Sequence, residues 1–325
     1  MRRPKLLATL VAVAVTAVVS LTPAAANAAQ AKPAGGGSDT VQSSSTRGGA
    51  ELSARAAAGV ADKASYSDAS WFSGTMAPGA QKGWVWNNSL NNYAYRVGLS
   101  PAGASTSAPC NFEVVDQWYE GLRSGERKFH FVIRNVGGIS CGATVELSSV
   151  DAPTTRSTGG LNPGETATFY ESSIDESSVY QVAVSPYGAT STDTCKFKVV
   201  DTWYDREPRG DVATPEYLYY TVQNVGNIAC SANVEVGTNP IDTYLANRTL
   251  SPGASYGTTM LSASPTTAVF MIGVLVADTG CAMEITKHRY VQVINSSGTT
   301  TRQLQLWLKN VGTITCTGRP TLSRI

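Results

Sequence analysis

Apolar and polar residues alternate in short runs from about residue 69 to the end of the chain. A spacing of two turns one set of side chains toward a core and the other toward solvent, as in half-buried β-strands. Glycine, proline, asparagine and serine separate the runs, and no segment after residue 68 has a capped 3.6-residue period. The pattern predicts an all-β protein of antiparallel sandwiches. Its clearest apolar positions are Phe129, Phe131 and Ile133, then Leu218, Tyr220 and Val222, then Leu304, Leu306 and Leu308.

One string, Asn-Val-Gly-x-Ile-x-Cys, occurs three times, and its copies begin 89 and 86 residues apart. A nearly constant period of this kind indicates internal duplication. In each copy we expect glycine to turn the chain with a positive φ and asparagine to hydrogen-bond the local backbone. We expect isoleucine to re-enter the core and cysteine to begin the next strand. The copies span residues 135–141, 224–230 and 310–316. The sequence thus predicts three immunoglobulin-like β-sandwich repeats, at residues 69–147, 148–240 and 241–325.

The six cysteines fall into three pairs if each unit joins its own two. A cysteine opens a strand 31 or 35 residues before the last residue of each string. Six cysteines allow 15 connectivities, so the pairing within units rests on symmetry alone. Each bridge would close a loop of roughly 30 residues and contribute ~3–4 kcal/mol. The expected disulfides are Cys110–Cys141, Cys195–Cys230 and Cys281–Cys316.

The boundaries of the repeat can be drawn in two ways. Counting from the Pro-Gly turns gives three complete units. Counting from the first cysteine of each copy gives two complete units and two halves, residues 69–105 and 279–325. These halves are complementary and could pair into a third sandwich that closes the molecule.

The first 28 residues have the features of a secretory signal peptide. Basic residues precede an apolar run at 6–21, and Ala-Asn-Ala at 26–28 fits the cleavage pattern. A transmembrane anchor is the alternative, but the run is shorter than the roughly 20 residues that span a bilayer. We therefore expect a secreted, extracellular protein with no membrane segment after cleavage. Residues 29–68 predict a flexible linker, or a segment that orders on a partner.

Charge narrows the class of partner. The chain has 25 basic and 24 acidic residues, and charged residues make up only 15% of it. Without a basic excess, nucleic-acid binding is not expected. An even number of cysteines in an exported protein favours disulfides over metal ligands.

Three segments resemble a known module. They are FVIRNVG at 131–137, LNPGET at 161–166 and YQVAV at 180–184. This order is similar to CARDB-like and related immunoglobulin-like modules of bacterial secreted and surface proteins, over about two thirds of the mature chain. The resemblance implies adhesion, spacer or docking roles. The cysteine pair is not part of the usual pattern.

Catalytic chemistry has little support in the sequence. The two histidines, His130 and His288, have no neighbouring ligand or base motif, and no nucleophile, phosphate-loop or dinucleotide motif occurs. Asp116 and Asp201 occupy equivalent positions and could bind calcium or a sugar hydroxyl. The third copy has Lys287 there, which favours turn or strand-end acids paired with a nearby arginine or backbone N–H. We expect no enzyme activity, no catalytic residues, no metal and no cofactor.

Aromatic residues are the better signal for binding, because exposed rings anchor protein interfaces or stack on sugars. Packing inside the sandwiches is the structural alternative. The candidates are Trp84, Trp86, Trp118, Tyr119, Trp203, Tyr204, Tyr219 and Trp307. The predicted function is therefore a secreted adaptor that binds another secreted or surface protein. The alternative is a carbohydrate or cell-wall binder, and the third possibility is a cryptic enzyme or a protease inhibitor that uses the loop at 205–215.

Overall fold

The computed structural model describes residues 68–172, 174–207, 216–261 and 269–325. The predicted signal peptide and all but the last residue of the predicted linker lie outside this range. All regular secondary structure within it is β-strand, so the all-β prediction is confirmed. No helix among these residues is long and apolar enough to cross a membrane.

Nineteen strands are formed by the described residues. They are β1 (Ala69–Phe72), β2 (Gln81–Ser89), β3 (Tyr93–Ala102), β4 (Cys110–Gly121), β5 (Arg127–Asn135), β6 (Gly142–Asp151), β7 (Thr154–Ser157), β8 (Thr166–Glu171), β9 (Ser178–Tyr187), β10 (Cys195–Arg206), β11 (Glu216–Asn224), β12 (Ser231–Pro240), β13 (Thr243–Tyr244), β14 (Arg248–Leu250), β15 (Ser255–Leu261), β16 (Phe270–Val276), β17 (Cys281–Ile294), β18 (Thr300–Asn310) and β19 (Cys316–Arg324).

The strands make one large antiparallel sheet and three small ones. The large sheet contains three trios of similar order: the first trio is β2–β5–β4, the second is β8–β11–β10 and the third is β15–β18–β17. The small sheets are β1–β6–β3, β7–β12–β9, and β19 with β13, β14 and β16. Each trio is close in sequence to one small sheet, and buried residues from both sheet types belong to the main hydrophobic cluster.

The pairing of β1, β2 and β3 distinguishes between the two ways of counting the repeat. β1 and β3 both pair with β6, and β2 pairs with β5. The sequence from residue 69 therefore pairs with its own neighbours, as counting from the Pro-Gly turn predicts. The other frame, in which residues 69–105 would build a sandwich with residues 279–325, is wrong.

Three long strands nevertheless close the molecule. β4, β10 and β17, the ring strands, each pair with both of the others. The start of β10 pairs with the end of β4, where Cys195 lies opposite Gly121, and the start of β17 pairs with the end of β10. The end of β17 returns to the start of β4, where Gln292 lies opposite Cys110. The ring strands thus form a closed triangle of hydrogen-bonded edges.

Each ring strand is also irregular at its middle. The register with its hairpin partner shifts between Val114 and Asp116, between Val199 and Asp201, and between Ile285 and Lys287. An extra residue in one strand bends it and increases its twist. The three bulges fall where each strand leaves one neighbour for the next, so they allow the triangle to close.

The string's asparagine makes the same contacts in all three copies. Asn135 donates from Nδ2 to the carbonyls of Met76 and Ile139, both at 2.8 Å, and accepts from Gly137 N–H. Asn224 and Asn310 do the same in their own copies. All three side chains are fully buried. The expected hydrogen bonding of asparagine to the local backbone is confirmed.

Two other expectations about the string need correction. Its glycines do not adopt a positive φ; a Cβ at Gly137 would lie 3.2 Å from Asn111 N, so glycine is needed for close approach. The isoleucine is not a uniform core anchor. Ile139 and Ile228 are partly buried against the core, whereas Ile314 is 46% exposed.

Two of the three expected disulfides are formed, Cys110–Cys141 and Cys281–Cys316. The third differs from the prediction, because Cys195 and Cys230 are buried free thiols. They hydrogen-bond to each other, and Cys195 Sγ also donates to the Tyr187 carbonyl at 3.3 Å. Burial raises the pKa of Cys195 to about 12. The two thiols therefore lie in contact without a bond between their sulfurs.

Candidate functional site

Four of the predicted binding aromatics belong to the core. Trp84, Trp86, Tyr119 and Tyr204 are 1–5% exposed. Trp84 stacks on Phe131, with ring centroids 5.6 Å apart, and the Tyr119 hydroxyl accepts a hydrogen bond from Tyr95 N–H. The prediction that these four rings form a binding surface is therefore wrong. A period of two places Trp84 and Trp86 on one face, and that face is the inner one.

The other four candidates, Trp118, Trp203, Tyr219 and Trp307, are partly exposed on the outer face of the large sheet. In the first trio, Trp118 stacks on His130, with centroids 4.7 Å apart. His130 Nε2 lies 2.7 Å from Glu120 Oε2, and this hydrogen bond holds the pKa of Glu120 at about 2. His130, which has no ligand or base motif beside it in the sequence, is fixed between a ring and a carboxylate.

The second trio carries the largest group of rings. Trp203 stacks on Tyr219 at 5.1 Å, and Tyr170 lies 5.6 Å from Tyr219 and 5.8 Å from Tyr217. We call Tyr170, Trp203, Tyr217 and Tyr219 the aromatic patch. Tyr217 is buried, whereas Tyr170 is 47% exposed. The Tyr219 hydroxyl donates to Glu207 at 2.6 Å, so a carboxylate adjoins the rings.

Tyr170 is the exposed residue of this patch that sequence reasoning missed. It lies directly opposite Tyr219 across β8 and β11. In the sequence, residues 166–170 alternate two threonines and this tyrosine with Ala167 and Phe169, which would have placed Tyr170 on the polar face. The strand's position beside β11 was not deducible from that alternation.

The third trio presents cations over a ring instead of stacked rings. The guanidinium of Arg289 lies 4.7 Å from the centroid of Trp307, and Lys287 Nζ lies 5.6 Å from it. Contacts of this kind are worth about 0.5–1 kcal/mol at exposed sites. The outer faces of the three trios are therefore chemically different.

A cavity of about 700 Å³ lies where the three bulges meet, and we call it the ring cavity. Its exposed side is charged. Lys198 Nζ lies 3.5 Å from Asp116, and Lys287 Nζ lies 2.7 Å from Glu113, so each pair joins two ring strands. Asp116 and Asp201 were expected to be strand-end acids paired with a nearby arginine or backbone N–H. Each accepts a hydrogen bond from the backbone N–H of the next residue, so both fit this expectation.

Asp201 also faces another acid. Its carboxyl hydrogen-bonds to that of Glu284, and Lys309 Nζ lies 3.2 Å from Glu284. Burial raises the pKa of Glu284, and the contact with Asp201 adds to this shift against the opposing effect of Lys309. The three corners of the ring therefore hold two acid–lysine pairs and one acid–acid pair.

The opposite side of the ring cavity is formed by small-sheet strands and the inner faces of the ring strands. Arg96 of β3 donates from Nε to the Phe270 carbonyl at 3.1 Å. Its other nitrogens lie 3.4 Å from Gln181 Oε1 and 3.5 Å from His288 Nε2. Burial and the nearby guanidinium keep the pKa of His288 well below its usual value, so this imidazole is neutral.

No group of three or more His, Cys, Asp or Glu side chains within the described ranges is placed to hold a metal ion. The expectations of no metal, no cofactor and no catalysis stay predictions. The loop at 205–215, proposed for an inhibitor, lies mostly outside the described residues.

Comparison with known proteins identifies no relative. No family model matches the chain, and no curated protein or solved structure is significantly similar to it. The resemblance to CARDB-like modules therefore stays a prediction, and function has to be inferred from the residues themselves.

Proposed function

We propose that this protein is a secreted, non-enzymatic adaptor that binds another secreted or surface protein. In this proposal it consists of three immunoglobulin-like units at residues 69–147, 148–240 and 241–325, similar to CARDB-like modules. The ring strands hold the outer faces of the units in one continuous sheet. A partner would therefore meet a preorganised surface and lose little entropy to loop ordering on binding.

The aromatic patch is the observation that carries the proposal. Its rings contact one another at 5.1–6.3 Å, so their positions are fixed before a partner arrives. Large aromatic side chains supply much of the binding energy at protein interfaces. Val115 and Val200, which are 39% and 41% exposed at the bulges, add apolar surface to the same sheet.

A glycan is the second candidate, and one contact favours it. Tyr170 is exposed at the margin of the patch, and Glu207 accepts a hydrogen bond from the neighbouring Tyr219. An exposed ring beside a carboxylate can stack on a sugar and accept a hydroxyl hydrogen bond. Glu207 is already engaged by Tyr219, so this observation carries less weight than the rings.

The test compares two variants of the patch with a matched control. In the first assay the mature chain is immobilised, incubated with culture medium and surface extract from cells that secrete it, and cross-linked to the proteins that it binds. In the second assay it is mixed with purified peptidoglycan. Tyr170→Ser and Trp203→Ala alter the patch. Tyr244→Ser is the control, because Tyr244 is 42% exposed on β13, a strand of a small sheet.

We expect one protein to be recovered in stoichiometric amount with the wild type and with Tyr244→Ser, and to be lost with the patch variants. Retention on peptidoglycan that disappears with the same variants would replace the adaptor proposal by the glycan alternative. Equal recovery with all four proteins would place the contact elsewhere and contradict the proposal.

A further inference from the structure

The large sheet ends in three edge strands, β2, β8 and β15, one in each trio. A strand at the edge of a sheet has a row of backbone N–H and C=O groups that face no neighbouring strand. Such a row can bind an extended segment of another chain, which then becomes an added strand. The residues of each edge decide how well it can do this.

The strand β8 turns alternate backbone groups away from β11. Just before it begins, the Glu165 carbonyl accepts a hydrogen bond from the N–H of the string's asparagine. Bonded and non-bonded residue pairs alternate along an antiparallel ladder, so the backbone groups of Thr166, Thr168 and Tyr170 point outward. Tyr170 fits this direction, because its carbonyl accepts a hydrogen bond at 2.7 Å from Arg156 of β7, a strand of another sheet.

The centre of the edge distinguishes β8 from β2 and β15. Counted from the same hydrogen bond to the string's asparagine, the position of Thr168 is held by Gly83 in β2 and by Gly257 in β15. Glycine disfavours an extended strand, whereas threonine favours it. β2 also contains Lys82 and a register shift before Ser89, and both features protect an edge from pairing. Neither occurs in β8, whose six residues are all described.

The side chains of β8 also suit an added strand. Thr166, Thr168 and Tyr170 are exposed on one face, and Thr168 Oγ1 lies 2.9 Å from Thr221 Oγ1 of β11. Cross-strand pairs of β-branched and aromatic side chains stabilise a sheet. Tyr170 is part of the aromatic patch, so a strand added beside β8 would lie next to that patch.

The charges around β8 select the kind of strand. Glu165 and Glu171 flank its centre, and Glu207 adjoins the aromatic patch. Arg156 lies 2.9 Å from Glu171 and offsets one of these three negative charges. If two copies of this chain paired through β8 about Thr168, Glu165 of one would lie opposite Glu171 of the other, and opposed like charges are unfavourable. A strand of another protein with basic residues at its ends fits the edge better.

We propose that β8 is the docking edge of this protein and binds an extended, basic segment of the partner as an added strand. The segment hydrogen-bonds to the outward backbone groups of Thr166 and Thr168 and to the N–H of Tyr170. Its basic ends face Glu165 and Glu171. This inference rests on the proposed function, because it states how the partner reaches the aromatic patch.

The first experiment uses a defined peptide probe with the mature wild-type protein. The probe is Lys-Thr-Val-Thr-Val-Thr-Lys with both valine nitrogens methylated, so that one edge can pair and the peptide cannot stack on itself. The control peptide is methylated at the threonine nitrogens as well, which keeps its charges and side chains but blocks both edges. Amide hydrogen exchange, measured by NMR, reports the contact residue by residue.

We expect the probe to slow exchange at the amides of Thr166 and Thr168 by about tenfold or more, in a saturable way. The amides of Ala167 and Phe169 should change little, because the ladder to β11 already protects them. The control peptide should protect none of these amides. Equal protection by the two peptides would overturn the proposal.

The second experiment changes the edge of the protein. Thr168→Pro removes an outward N–H and leaves the ladder to β11 in place, which is where edge strands tolerate proline. Gly83→Pro is the matched control at the equivalent position of β2, where the nearest neighbours of a Cβ would lie 3.7 Å away. We expect Thr168→Pro to bind the probe about tenfold more weakly than Gly83→Pro and the wild type do. If Thr168→Pro does not fold, the comparison of the two peptides on the wild type decides.

Recovery of the partner from culture medium separates this inference from the proposed function. We expect Thr168→Pro to lose the partner and Gly83→Pro to keep it. If folded Thr168→Pro keeps the partner while Tyr170→Ser and Trp203→Ala lose it, the partner binds the rings without the edge, and only the present proposal fails. A wild-type dimer that Thr168→Pro abolishes would show that a second copy occupies the edge, which would also overturn it.

Discussion

Two arginines on inner strands, the buried Arg127 and the partly exposed Arg96, occupy very different surroundings. Arg127 begins β5, where its Nη1 lies 2.7 Å from Glu235 Oε2 of β12. It also donates to Ser89, Ser185 and the carbonyls of Val184, Leu90 and Tyr93. Every nitrogen of that guanidinium is used. Among the described residues, Arg96 has one hydrogen bond of ordinary length and no acid as an ion-pair partner. The contrast separates a charge built into the architecture from one that lies at the edge of a cavity.

The largest effect should follow from breaking the Arg127 pair. Arg127→Met leaves Glu235, which is fully buried, without its counter-charge. We expect a loss of about 3–5 kcal/mol in the free energy of unfolding, measured by urea denaturation at pH 7. Arg123 is exposed in the turn after β4 and serves as the control, so Arg123→Met should change the free energy of unfolding by less than about 0.5 kcal/mol.

The double variant Arg127→Met/Glu235→Met sharpens this test. Removing both charges together should restore much of the lost stability, because no buried charge is then left unpaired. A single Arg127→Met variant that loses less than 1 kcal/mol would show that the pair is not needed.

The second effect concerns the position in β11 that matches Arg127 in β5. Glu216 stands there, and burial raises its pKa to about 7. Its folded state binds a proton more tightly than the unfolded chain does, so stability should fall as pH rises from about 4.5 to 7. We expect Glu216→Gln to remove roughly 2–3 kcal/mol of this decline. Unfolding curves at pH 4.5 and 8 for both proteins measure it, and parallel pH profiles would contradict the assignment.

The third effect compares the tyrosines beside the two arginines. The Tyr119 hydroxyl, next to Arg127, accepts the buried Tyr95 N–H at 3.1 Å. Tyr180 N–H faces the Tyr204 hydroxyl in the same way but without normal hydrogen-bond geometry. Tyr119→Phe should therefore cost about 1–2 kcal/mol and Tyr204→Phe less than about 0.5 kcal/mol. Thermal unfolding of the two variants gives the difference, and equal losses would remove the distinction.

Arg96→Met should have a much smaller effect than Arg127→Met. Arg96 is partly exposed, and its loss removes mainly the hydrogen bond to the Phe270 carbonyl, so we expect a net change within about 1 kcal/mol. Urea denaturation beside Arg127→Met measures it. A loss as large as that of Arg127→Met would mean that Arg96 also has an architectural role.

The strands themselves were predictable from the sequence. All nine residues chosen from the alternation are fully buried, because a period of two leaves few other ways to hide them. The asparagine of the string was also predictable in kind, since its side chain competes well for backbone groups. Which face of β2 points inward was not predictable, because alternation separates two faces without saying which one meets the core.

The site was less accessible to sequence reasoning. The ring cavity depends on pairings such as Tyr290 with Phe112, which no local pattern encodes. Arg96 interrupts an apolar strand in the sequence, but its lack of an acid depends on strands far apart in the chain. The sequence also does not predict that Cys195 and Cys230 are unbonded, since they have the same spacing as the bonded pair Cys281–Cys316.

The triangle of ring strands has a consequence for how the chain acquires its structure. The hairpins form between near neighbours, but the last edge joins β17 to β4 across most of the described sequence. Pairings so distant in sequence form slowly, because the intervening chain must be ordered first. Until β17 has been synthesised, the start of β4 remains an open edge able to pair with another chain.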